Sequence, residues 1–168
     1  MNTGLLIARL VIGLLMAAHG AQKAFGWFGG YGLAGTAAYM EQQLGFRPGR
    51  LFAAAAAWTE ITSGLLVATG LLGPIGPALM LSVMIVAAVT VHLQGGLFAM
   101  TNGIEVPLLY GVAGIAFALT GFGRFSLDAA LGLTSLWTPM FAIIALVAGI
   151  AGGFGNVALR RPAAPATH

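Results

Sequence analysis

The stretch His19-Gly20-Ala21-Gln22-Lys23-Ala24-Phe25-Gly26-Trp27-Phe28-Gly29-Gly30 decides how the chain is read. It places an imidazole, an ammonium and an aromatic-glycine turn where a long apolar helix runs out. Upstream of His19, residues 4–18 are apolar apart from Arg9, and the span as a whole runs over residues 4–22. At about 1.5 Å per residue that is enough to cross a hydrocarbon core of about 30 Å. Glycines between Gly26 and Gly32 permit backbone angles that a helix cannot use, and Trp27, Phe28 and Tyr31 suit the headgroup level. The segment lacks a basic leading region and a small-residue cleavage site, so it reads as a retained span and not as a signal peptide.

Composition supports the same reading. Of 168 residues, 59% are hydrophobic and 7% charged, and the mean hydropathy is +0.96. A soluble domain carries about a quarter of its residues as charges. Packing alone cannot hide this much apolar surface, so the bilayer serves as solvent. The net charge of +3 does not imply a nucleic-acid partner, because the seven Lys and Arg are scattered among apolar runs. The absence of cysteine excludes disulfides, thiolate metal sites and thiol-disulfide chemistry within this chain.

Beyond the turn, residues 37–44 predict a short helix whose Glu41-Gln42-Gln43 rules out a span, lying on the interface or folding back over the bundle end. Arg47-Pro48-Gly49-Arg50 is a hinge into a second span at 51–72. Gly73-Pro74-Ile75-Gly76-Pro77 is a tight turn, which makes spans two and three (77–93) antiparallel neighbours. A polar loop over 94–103 leads to span four at 104–121. The break at 123–128 offers Ser126 or Asp128 as a cap. A fifth apolar run, 136–159, carries Gly149 and Gly153 four apart, a spacing that lets helices approach closely and a candidate homo-oligomer contact.

The expected fold is therefore an all-α integral membrane protein: a four-helix transmembrane bundle core within 1–131, a fifth transmembrane helix within 132–159, a short interfacial helix, and a disordered Pro/Ala-rich tail over 160–168. Five spans put the termini on opposite sides. Lys23, Arg47, Arg50, Arg160 and Arg161 then share one side, leaving Arg124 and Arg9 on the other. The positive-inside rule makes the richer side cytoplasmic and the N-terminus external, in a cell inner membrane.

Polar residues within the spans carry the functional expectation. Arg9, Gly13, Met16, Gly20 and Lys23 fall on one helical stripe, with His19 close by, and so do Ala53, Ala57, Glu60 and Gly64. Charges facing lipid are costly, so these stripes should face other helices. Counting depth from matching helix ends pairs Arg9 with Glu60 as a structural ion pair. His92 and Glu105 end and begin spans on the side of His19 and Lys23, which predicts that these four gather at one bundle mouth. Each also has a plainer reading. Arg9 can snorkel, the histidines can bond backbone or interfacial water, and Lys23 and Glu105 can be boundary residues.

No HxxxH or CxxC spacing supports a metal site. Imidazole and ammonium could hydrogen-bond the carbonyls of a quinone between aromatic and aliphatic walls, and a proton path through Glu60, His19 and His92 is equally open.

The order of motifs resembles the DoxX family. It comprises Arg9-Leu10, His19-Gly20-x-Gln22-Lys23-x-Phe25-Gly26 and the glycine-rich residues 27–35. Glu60 with Ser63-Gly64-Leu65-Leu66 and Gly70, then His92, Glu105-x-Pro107 and Gly121-x-Gly123-Arg124-x-Ser126-Leu127-Asp128, complete it. The resemblance covers about residues 5–131. It implies a four-helix membrane core, with relatives that include a subunit associated with thiosulfate:quinone oxidoreductase and others linked to membrane redox complexes and oxidative-stress defence. By that analogy Arg9, His19, Lys23, Glu60, His92 and Glu105 occupy the family's polar positions, and the fifth span is a departure.

The expectation is a subunit of a membrane redox complex, an oxidoreductase subunit if it is enzymatic at all. It would bind a quinone or similar small partner through His19 and Lys23, with Glu60 and Arg9 setting the field and His92 and Glu105 exchanging protons. A non-enzymatic adaptor for a redox or stress complex, or a small-solute or proton transporter, are the competing readings.

Overall fold

The computed structural model describes residues 2–161. Its helices are α1 (Asn2–Phe25), α2 (Gly32–Gln42), α3 (Gly49–Thr69), α4 (Ile75–Ala87), α5 (Glu105–Thr120), α6 (Leu127–Ala130) and α7 (Pro139–Ala158), with no strand among the described residues. The α4 rod continues as a π turn at Ala88–His92 and a 3-10 turn to Gly95. Four rods are long and apolar enough to cross a membrane: α1, α3, Ile75–Gly95 and α7. The chain is thus a multi-pass membrane protein. The expected fourth span, α5, has 16 residues and a length of about 24 Å, shorter than a hydrocarbon core. The expected fifth span, α7, is one of the four long helices.

Helix ends follow local chemistry. Gly26, at φ 74, stops α1. Gly70, at φ 68, stops α3 earlier than residue 72, and its N–H closes on Leu66 and Val67. Thr138 accepts the Phe141 N–H ahead of Pro139, which starts α7. At the first turn of α3 the cap comes from another helix, since Glu41 of α2 accepts the Gly49 N–H at 2.9 Å.

Packing is built on small residues. A methyl group on Gly64 would lie 2.5 Å from Gly13 O and from Ala17 N, so α1 and α3 touch backbone to backbone. The two predicted stripes meet here: Arg9, Gly13, Met16 and Gly20 are buried, as are Ala53, Ala57, Glu60 and Gly64. The Leu71–Pro74 turn returns the chain so that α3 and α4 are antiparallel neighbours, as expected. α7 runs parallel to α4, with Gly149 against Ala78 O and Gly153 against Ser82 O. Those two glycines are therefore filled from within the chain and do not offer the expected homo-oligomer contact. Met16, Val67, Met80, Val83, Met84, Tyr110, Phe117 and Phe122 form the central core. Leu14, Leu15, Ile143 and Val147 stay exposed, as lipid-facing residues do.

The short helix takes the second of its two expected positions. α2 begins at Gly32, five residues earlier than expected, and folds back onto the bundle, where Met40, Leu44 and Phe46 bury against Ala53. Of the expected disordered tail, residues 162–168 lie outside the described residues. Arg160 and Arg161 are held: Arg160 Nε donates to Leu44 O at 2.8 Å and Arg161 N to Gly45 O at 2.8 Å. These contacts join the C-terminal end of α7 to the end of the bundle that carries α2 and the Phe25–Gly32 turn.

Candidate functional site

On α1, Lys23 projects toward α3 and its ammonium bonds both carboxylate oxygens of Glu60. Glu60 is 2% exposed and Lys23 30%, so the acid is interior and the base sits at its edge. Among the described residues this is the one salt bridge. A carboxylate at that depth needs such a partner.

The expected Arg9–Glu60 bridge is corrected. Arg9 is buried, but its guanidinium donates to Ala68 O at 2.9 Å and to Phe125 O. The reason is register. With Gly13 against Gly64 and Gly20 against Ala57, antiparallel α1 and α3 bring Glu60 level with His19 and Gly20, and carry Arg9 to the opposite end of α3. Arg9 instead ties α1 to the end of α3 and to the segment after α5.

His19, one turn before Lys23, faces α5. Its ring meets that of Tyr110 edge-on, with centroids 5.8 Å apart. Gln22 Nε2 donates to Phe28 O at 3.2 Å, so its Oε1 is the acceptor for His19 Nδ1 at 3.2 Å. That assignment puts a proton on Nδ1, so Nε2 is the acceptor atom of the neutral ring. Tyr110 is itself buried. Three helices thus contribute to one cluster: His19 and Lys23 from α1, Glu60 from α3 and Tyr110 from α5.

The other two expected members stand apart. His92 Nδ1 donates to Asn102 O at 3.0 Å, and Glu105 Oε2 accepts the Ala99 N–H at 2.8 Å. Both brace the loop between α4 and α5. No hydrogen bond links them to His19, Lys23 or Glu60, so the predicted gathering of four divides into a charged cluster and a loop brace. Among the described residues no three His, Asp or Glu converge as metal ligands.

Two residues take roles that the sequence does not signal. Tyr110 reads as one more aromatic in an apolar run, and only the α1–α5 packing reveals it. Asp128 was expected at most to cap a turn. Ser126 does that, accepting the Ala129 N–H at 3.2 Å. Asp128, 2% exposed, reaches across to accept the backbone N–H groups of Leu72 at 2.9 Å and Gly73 at 2.7 Å. It pins the α3–α4 turn, whose Leu72 sits at φ 61.

Four cavities, of about 60, 470, 280 and 170 Å³, are lined by other residues than this cluster. His19 is exposed on α1 where its ring meets Tyr110 of α5.

A helical membrane bundle holding a buried acid–base pair beside a histidine–tyrosine contact is the class that the fold and site define. The DoxX family profile matches residues 4–93, more than half of the 168-residue chain, and the chain belongs to the DoxX family. The match spans α1 to the end of the α4 rod. The resembling motifs at Glu105 and at 121–128 lie beyond it. No curated protein and no solved structure matches the chain at a meaningful level of similarity.

Proposed function

We propose that the protein is a subunit of a membrane redox complex that binds a quinone, or a similar small redox partner, at the α1–α5 seam beside His19. The observation that supports this reading is the Lys23–Glu60 pair set within a span and adjoined by His19 and Tyr110. Charged groups inside membrane spans are costly and mark ligand or proton routes more often than packing. With Lys23 occupied by Glu60, it does not serve as the direct head-group ligand. His19 Nε2, as an acceptor, takes a hydrogen bond from a quinol hydroxyl, and the Tyr110 hydroxyl is the available donor for a quinone carbonyl. Lys23 and Glu60 then keep the site neutral overall while its polarity is maintained. His92 and Glu105 would act on the loop rather than on the ligand.

The protein is proposed to lie in the inner membrane with its arginine-rich end cytoplasmic and its N-terminus outside. Lys23, Arg47, Arg50, Arg160 and Arg161 share that end, and Arg124 lies at the other. An adaptor working through the Gly149–Gly153 face is less well supported, because α4 already fills it.

Mass spectrometry of the natively purified complex tests the reading. Quinone and redox subunits released from the same species support it. A protein carrying only bulk phospholipid, with no redox partner, would refute it.

A further inference from the structure

All four acids of the chain are engaged: Glu41 with Gly49 N, Glu60 with Lys23, Glu105 with Ala99 N, and Asp128 with Leu72 N and Gly73 N. No described carboxylate therefore pairs with Arg47, Arg50, Arg160 or Arg161. The fold nonetheless places all four at one end of the bundle, because the end of α7 is fastened to the α2–α3 loop through Leu44 O and Gly45 O. Arg47 follows Gly45 by two residues and Arg50 lies in the first turn of α3.

Beside that fastening is a cavity of about 280 Å³ lined by Tyr39, Gln43, Thr90, Leu93, Gln94 and Arg160. Arg160 uses Nε on Leu44 O, and its two Nη groups make no hydrogen bond among the described residues. Two side-chain amides and a phenol line the same space. One wall is the π turn at Ala88–His92, an irregularity often found where a helix serves a ligand. Leu93 is exposed at its edge and continues into the apolar rod of α4.

We propose that this cavity binds the phosphate headgroup of an anionic membrane lipid. Arg160 supplies the guanidinium, Gln43, Gln94 and Tyr39 supply hydrogen bonds to the glycerol or headgroup oxygens, and Arg47, Arg50 and Arg161 supply the surrounding positive field. A guanidinium matches phosphate through paired N–H groups. Clustered basic residues at a membrane surface attract anionic lipid additively. The acyl chains run down beside Leu93 into the bilayer. This inference is independent of the quinone reading, since it concerns different residues.

The test uses the full chain in nanodiscs of mixed phosphatidylglycerol and phosphatidylcholine, with retained lipid counted by native mass spectrometry after detergent release. Wild type retains phosphatidylglycerol in preference. Arg47→Gln and Arg50→Gln, at exposed side chains, each lower that preference by up to about fivefold, and Arg160→Gln abolishes it. Arg160→Lys retains part of it. If Arg160→Gln fails to fold, the Arg47→Gln/Arg50→Gln pair carries the test alone. Equal retention of both lipids by wild type, or an unchanged preference in that pair, overturns the proposal. Displacement of phosphatidylglycerol by inorganic phosphate also overturns it, because the site would then be one for a free anion.

Discussion

Lys23 on α1 and Glu60 on α3 form an ion pair that closes the helix interface on which the rest of the bundle is assembled. The two charges differ in burial, and that asymmetry sets their response to mutation. Lys23→Met leaves a buried carboxylate without its cation and is expected to destabilise the protein by about 3 kcal/mol. Adding Glu60→Gln should restore much of this, since neither partner is then charged. Thermal unfolding in detergent of the two single variants and the double variant checks it. Additive losses would contradict the pairing.

The closeness of α1 and α3 gives a second expectation. A side chain at Gly64 collides with the backbone of Gly13 and Ala17, so Gly64→Ala forces the helices apart and is expected to cost about 1–3 kcal/mol. Gly155, on α7, has open space around its Cβ position, and Gly155→Ala should leave stability unchanged or slightly raised. The difference in unfolding temperature between these two variants is the measurement.

Asp128 should behave as a clamp on the α3–α4 turn. Its carboxylate holds two N–H groups, and Asp128→Ala leaves both unsatisfied, which is expected to cost about 2–3 kcal/mol. Asp128→Asn keeps one acceptor and should fall between. The expected order of unfolding temperature is wild type, then Asp128→Asn, then Asp128→Ala. Parity of all three would show that the turn holds without the acid.

Much of this architecture is legible in the sequence because the bilayer imposes strong patterns. The stripes through Gly13 and Gly20 and through Ala57 and Gly64 identify the faces that meet, and the Gly73–Pro77 turn gives the antiparallel order. The axial register of α1 on α3 is not legible, because it depends on how closely glycine backbones seat against one another. A slip of a few turns replaced the expected Arg9–Glu60 bridge with Lys23–Glu60. Asp128 reaches the Leu72–Gly73 turn across 55 residues, a contact with no local signature. Arg160 meets Leu44 across 116 residues for the same reason. The bounds of α5 are legible to one residue at each end, 104–121 against Glu105–Thr120, but its 16 residues reach only about 24 Å, less than a hydrocarbon core.

Arg9 offers a further test of that register. Its bonds to Ala68 O and Phe125 O join three elements, so Arg9→Met should loosen the α5–α6 connection while leaving Lys23 and Glu60 paired. Hydrogen exchange at residues 122–128 is expected to rise, with exchange at residues 56–64 unchanged. A rise near Glu60 instead would restore the discarded bridge.

The functional reading rests on His19 and Tyr110 forming the contact surface for a quinone. Equilibrium binding of a short-chain quinol to the purified protein measures that directly. Wild type is expected to bind saturably, and His19→Ala and Tyr110→Phe each to weaken binding by about tenfold, the effect of one lost hydrogen bond near 1.4 kcal/mol. Identical affinities in all three proteins, or no saturable binding by wild type, would contradict the account.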